Sequence, residues 1–191
     1  MPDPKEKKPG KKRTGRRAYL NDFKLDEQGK YVYRGKMMGY EAEKISYGAY
    51  LRMITISVIG MLLFTVGAEC LPAVSLSRFG LTVIPWLGQM AAVFVTAYGA
   101  FKILTGRNPM RSYVYRSSVE KMDGRLAVSM MFSFFTAFEE TIYILVKGCA
   151  GEVLYTVLRP VCSLICGCIA LFLRSRLKGC AWGEVPNPLS E

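Results

Sequence analysis

The sequence predicts an all-α membrane protein, a four-transmembrane-helix antiparallel bundle with a small N-terminal cytoplasmic β-hairpin. Three observations predict it. Four stretches of about 20 residues are almost free of charge, long enough to cross a hydrocarbon core of about 30 Å. The basic residues fall on alternate sides of those stretches. An aromatic segment broken by a turn signal precedes the first of them.

The expected spans are about 49–68, 81–104, 126–146 and 153–173. Arg52 is the one charge in the first span, close enough to its end to snorkel. Buried helices of soluble proteins rarely stay apolar all round for so long, four times in one small chain. The average composition hides this, because the hydrophobic fraction of 51% is near the soluble range.

Orientation follows from charge. Net charge is +11, from 26 basic and 15 acidic residues. Fourteen Lys and Arg precede or begin the first span, six lie in the central segment 102–125, and three follow the last span. The loop 69–80 carries only Arg78 and the loop 147–152 only Lys147. Basic loops stay inside. Both termini and the central loop are therefore expected in the cytoplasm, with a plasma or bacterial inner membrane as the expected location. Residues 1–45 hold no apolar core of the length a cleavable signal needs, so the first span is expected to act as its own insertion signal.

Four regions follow: a disordered basic tail over 1–18, a hairpin and lead-in over 19–45, the membrane domain over 46–178, and a cytoplasmic tail over 179–191. Residues 1–17 hold eight basic residues and three Pro, which cannot bury a core. Lys11, Lys12, Arg13, Arg16 and Arg17 are the expected contacts to anionic lipid headgroups. No aromatic residue interleaves there, so nucleic acid is disfavoured as a partner. In 19–40, FKL and KYVY flank Asp26-Glu27-Gln28-Gly29, a tight-turn signal. A third strand over Met37–Tyr40 would join this hairpin. Its aromatics, including Tyr19, Phe23, Tyr31, Tyr33 and Tyr40, suit a headgroup-level belt.

Charges inside spans mark function by default. Glu139, Glu140 and Arg159 are such charges, and Gln89 adds a polar amide. Glu140 and Arg159 each lie six residues from the outer ends of their spans, roughly 9 Å deep, and Gln89 lies roughly 12 Å deep. The short loop 147–152 makes the third and fourth helices antiparallel neighbours. An ion pair between Arg159 and Glu140 or Glu139 is therefore expected, with Gln89 in reach. Ser129, Ser133, Thr136, Glu140, Tyr143 and Lys147 recur on one helix face, which should point into the bundle. Tyr155, Thr156, Arg159, Ser163 and Cys166 form a comparable stripe. Pro160 follows Arg159 and frees a backbone carbonyl one turn back. Two carboxylates against one Arg leave a spare acid, which proton or cation coupling would need. A buried pair that fixes helix register is the plainer reading.

Other features are weaker. Cys70 and Cys149 fall at the outer end, where a disulfide can form, although two unpaired thiols are the favoured expectation. Gly88, Ala92, Thr96 and Ala100 make a small-residue stripe, a helix contact face within the chain or between copies. The two halves align loosely, with Arg52, Glu69, Pro85 and Gly106 against Arg125, Glu140, Pro160 and Gly179.

The chain has no His, which removes the commonest general base and most zinc and haem ligation. Glu139-Glu140 resembles the start of the EExxxR motif of CAAX-type intramembrane proteases. Ile144 stands where that Arg belongs, and the family's His motifs have no counterpart. The resemblance therefore argues against protease activity. No cofactor, metal or catalytic residue is expected. The expected role is a non-enzymatic accessory or assembly subunit, with the bilayer, anionic lipid and a membrane protein or second copy as partners. The alternative is a small proton- or cation-coupled transporter using Glu140, Glu139 and Arg159.

Overall fold

Apolar runs separated by polar turns leave the backbone one economical solution, a set of long helices that satisfy their own hydrogen bonds. The computed structural model describes residues 20, 22–25, 29–41, 45–70, 80–148 and 153–187. Helix α1 runs over Tyr47–Glu69, α2 over Gly80–Thr105, a short α3 over Ser112–Ser118, α4 over Met122–Lys147 and α5 over Val153–Leu177. Ser46 starts α1: its Oγ accepts from the Ala49 amide at 3.3 Å, satisfying one orphan donor of the first turn. All the helices except α3 are long and apolar enough to cross a membrane. Their ends pass the apolar runs by a few residues, because helix propagation continues into polar flanks.

The four long helices pack in a ring. α1 lies against α2 and α5, and α4 lies against α2 and α5. Neighbours are antiparallel. Glu69 at the end of α1 meets Arg159 near the start of α5, and Asp123 at the start of α4 meets Arg174 near the end of α5, at 2.8 Å. The small-residue stripe of α2 faces α4 within the same chain. A Cβ on Gly88 would run into the Phe132 ring, and Thr96 Oγ1 lies 2.9 Å from Ser129 Oγ.

At one end of the bundle sit five short strands. β1 (Phe23–Leu25) and β2 (Tyr31–Tyr33) form an antiparallel hairpin. Gly29 stands before β2 at φ 74°, the left-handed region that glycine enters without steric penalty. The third strand departs from expectation. β3 (Met37–Glu41) does not extend the hairpin. It is the middle strand of a separate antiparallel sheet, between β4 (Met110–Arg111) and β5 (Ala181–Val185). Segment 179–191, read as a plain tail, thus contributes a strand that runs the length of β3, from Met37↔Val185 to Glu41↔Ala181. These partners lie far apart in sequence, so no local turn signal announces them.

Segments before α1, between α2 and α4, and after α5 are joined in a single sheet, so all three lie at the same end of the bundle. Lys36 Nζ bridges to Glu184 at 2.8 Å across β3 and β5. Asn187 Nδ2 donates to the Tyr33 carbonyl at 2.9 Å, and Tyr33 Oη lies 3.1 Å from Ser112 Oγ. Tyr31 and Tyr33, two residues apart on β2, part ways in burial: Tyr33 is enclosed, whereas Tyr31 is 74% exposed. Beneath the sheet, Tyr40 stacks among Tyr47, Tyr50 and Trp182, with ring centroids 5.0–5.6 Å away.

The apolar core lies toward that end, around Tyr50, Ile54, Met61, Ile103, Leu126 and Leu173. Farther along, the interior turns polar. Ser129, Ser133, Thr136, Glu140, Thr156, Arg159 and Ser163 are all buried. The outside is the reverse: Leu145 is 79%, Leu154 71%, Ile56 70% and Phe138 63% exposed.

Candidate functional site

The end opposite the sheet holds the charged cluster. α4 presents Glu140 inward because it shares a face with Ser129, Ser133 and Thr136, and these four side chains are buried. α5 presents Arg159 from the face that also carries Thr156, Ser163 and Cys166, all buried. Tyr143 and Lys147 continue the α4 stripe toward its end but are partly or fully exposed, as is Tyr155 on α5. Pro160 is buried directly after Arg159.

Arg159 and Glu140 approach as expected, with Nε 3.6 Å from Oε1. The closer partner is one that sequence reasoning missed. Arg159 Nη2 donates to Glu69 Oε1, the last residue of α1. Arg159 thus ties α5 to α1 and α4 together. Both glutamates are the positions matched by the loose alignment of the two halves, which was the one signal that could have singled out Glu69.

Two carboxylates share one guanidinium. Glu140 is 1% exposed and Arg159 4%, so neither charge is relaxed by water. Glu140 Oε2 is shut off from solvent with no hydrogen-bond partner among the described residues. Glu139 makes no ion pair among the described residues. It is half-buried, and its Oε2 is likewise enclosed without a partner.

Gln89 does not join the ion pair through any described bond. Its Nε2 donates to Thr65 Oγ1 at 3.4 Å. Thr65 lies 3.4 Å from Cys166 Sγ, and Ser133 Oγ donates to the same sulfur at 3.4 Å. A polar thread therefore joins α2, α1, α5 and α4 one to two turns inward of the charges. The Gln89 carbonyl oxygen is enclosed and has no hydrogen-bond partner among the described residues.

Chemically, this is an interior in which three enclosed oxygens, of Gln89, Glu139 and Glu140, lack a hydrogen-bond partner among the described residues. It can hold a proton or a small cation between Glu140 and its neighbours, and it can lock four helices in one register. Among the described residues no group of three or more His, Cys, Asp or Glu is placed to hold a metal ion. Cys70 is a free, exposed thiol; Cys149 lies outside the described residues, as do Lys11, Lys12, Arg13, Arg16 and Arg17.

No family model, curated protein or solved structure matches the chain.

Proposed function

We propose that the chain is a multi-pass integral membrane protein, with both termini cytoplasmic, that serves as a non-enzymatic accessory or assembly subunit in a plasma or bacterial inner membrane. The observation that carries the membrane reading is the reversal of polarity between interior and exterior. Hydroxyls, an amide and ions fill the interior beyond the apolar core, and Leu, Ile and Phe cover the outside. In water, such a continuous apolar surface would far exceed the few hundred Å² that soluble monomers expose. In lipid it is the favourable arrangement, because acyl chains solvate the outside and buried polar groups find one another.

Supporting the orientation, the three basic segments share one end of the bundle, as the positive-inside rule requires of cytoplasmic segments. Supporting a subunit role, Arg159, Gln89, Thr65, Ser133 and Cys166 join helix to helix. The sheet end meanwhile offers a basic platform built from three distant segments. The test is purification in several mild detergents, with mass measured by light scattering. A stoichiometric partner or a defined oligomer is expected. A chain that is monomeric and alone in every detergent overturns the subunit reading.

The excess of carboxylates favours a second reading, proton- or cation-coupled transport through Glu140 and Glu139 with Arg159 as counter-charge. Proteoliposomes under a proton gradient test it: Glu140→Gln should abolish gradient-driven ion uptake, and uptake that survives the change removes this reading.

A further inference from the structure

We infer that the bundle carries a specific site for an anionic phospholipid, with its phosphate in a basic cleft at the sheet end and an acyl chain in the groove between α2 and α4. This rests on the membrane-spanning reading but requires neither the subunit role nor transport. It is also separate from the basic tail at residues 11–17.

The cleft has a volume of about 1090 Å³ and lies between the β2–β3 turn, the end of α2 and α3. Arg34, Lys36, Lys102, Arg116 and Lys121 line it, against one acid, Asp22. Lys36 is already paired with Glu184 at 2.8 Å. Lys102 sits over the Tyr98 ring at 4.6 Å. Arg34, Arg116 and Lys121 have no ion-pair partner among the described residues. Such a concave cationic surface, lined by the membrane-facing end of α2, attracts a phosphate.

Lys121 also lines a second hollow, of about 620 Å³, which descends between α2 and α4. Its walls are Gly88, Ala92 and Val95 on one side and Gly124, Val128 and Phe132 on the other. Arg125 and Glu120 flank its upper end with Lys121. Arg125 Nη2 donates to the Ser117 carbonyl at 2.9 Å. Its Nη1 is shut off from solvent with no hydrogen-bond partner among the described residues. No described carboxylate neutralises Arg125.

Lys121 to Phe132 spans eleven helical steps, roughly 16 Å. That is about the depth of one leaflet of a 30 Å hydrocarbon core. Gly124 leaves room for a chain there, and Phe132, packed on Gly88, closes the far end of the groove. Cations at the headgroup level above an apolar trough of leaflet depth match the two ends of a phospholipid. Neither a free phosphate nor a neutral lipid would satisfy both hollows.

Thermal unfolding of the detergent-purified full-length chain tests this, with added phosphatidylglycerol, phosphatidylcholine or inorganic phosphate. Phosphatidylglycerol should raise the midpoint at concentrations where the other two do not. Lys121→Ala should weaken the half-saturating concentration about fivefold, the share expected of one cation at the surface. Gly124→Leu is the steric probe. A Cβ added at Gly124 meets nothing within 4 Å, so leucine there should fill the groove and abolish the phosphatidylglycerol effect without lowering the lipid-free midpoint. Neutralising Lys11, Lys12, Arg13, Arg16 and Arg17 to Gln should leave the effect intact. The site is refuted if phosphatidylcholine or phosphate works equally well, if Gly124→Leu retains the full effect, or if neutralising the tail removes it. A chain that stays soluble without detergent refutes the membrane reading instead, and a detergent-requiring chain with no lipid preference refutes the site alone.

Discussion

Arg159 donates to Glu69 across ninety residues of sequence, and so ties the last long helix to the far end of the first. The same guanidinium stands 3.6 Å from Glu140 on α4. A charge this buried is tolerated only while its partners remain. Arg159→Leu should therefore cost about 3–5 kcal/mol, because it strands the buried Glu140 carboxylate and leaves Glu69 at the bundle's end without its partner. The triple variant Arg159→Leu, Glu69→Gln, Glu140→Gln should recover most of the loss. Unfolding in mixed detergent measures both. An Arg159→Leu chain as stable as the parent would mean that the pair does not hold the helices.

Helix α2 approaches α4 through glycine, and the approach has a steric signature. A Cβ on Gly88 meets the Phe132 ring, whereas one on Gly124 meets nothing within 4 Å. Gly88→Ala should destabilise by about 1–3 kcal/mol through overpacking. Phe132→Leu in the same chain should relieve it. Gly124→Ala should stabilise by about 0.4–1 kcal/mol, since it restricts the unfolded chain at a helical position. Detergent unfolding midpoints of the three variants check the contrast, which fails if both alanines shift stability in one direction.

The faces of the helices were legible in the sequence, and the pairing of distant segments was not. Ser129, Ser133, Thr136 and Glu140 repeat with the helical period, so their shared inward face could be read directly. The short loop 147–152 placed α5 beside α4, which brought Arg159 to Glu140. No loop reports that α1 lies beside α5, because they are the first and last long helices of a ring. Glu69, at the very end of α1, therefore carries no sequence sign of its partner. Depth alone puts Gln89 in reach of the pair. Depth does not fix rotation about the helix axis, and its amide turned to Thr65 instead. The strand at Ala181–Val185 was invisible for a related reason. Its sequence, Ala-Trp-Gly-Glu-Val, carries little strand signal, and its partner at Met37–Glu41 lies more than 130 residues earlier.

Tyr40 gives the sheet a response to alkali. Its phenol donates to the Ile45 carbonyl at 2.9 Å and lies 3.7 Å from Cys180 Sγ. Burial first, and then the hydrogen bond and charge of Cys180, push its pKa up to about 12 from the usual 10.0. A raised pKa means that the folded state favours the neutral phenol. The contribution is fully present below pH 10 and is lost as pH rises from about 10 to about 12. Trp182, 5.4 Å from the Tyr40 ring, should report loosening of the sheet by fluorescence in that window. Tyr40→Phe should flatten this part of the curve, and an unchanged transition in that variant would assign it to other groups.

The orientation in the membrane is open to direct labelling. Cys70 is an exposed free thiol at the end opposite the sheet, beyond a helix end flanked by almost no positive charge. Arg107 and Ala181 are exposed at the sheet end, within the segments that carry the basic load. Reversing the molecule would translocate 23 of its 26 basic residues or leave them stranded, a cost the insertion machinery avoids. In a Cys149→Ser background, a membrane-impermeant maleimide should label Cys70 in intact cells. The variants Arg107→Cys and Ala181→Cys should gain label only after the membrane is opened. Because β5 is paired along the whole of β3, and β3 also holds β4, the two introduced cysteines must behave alike. Labels that split them across the membrane would contradict the sheet, and labels that place both outside would reverse the topology while leaving the fold untouched.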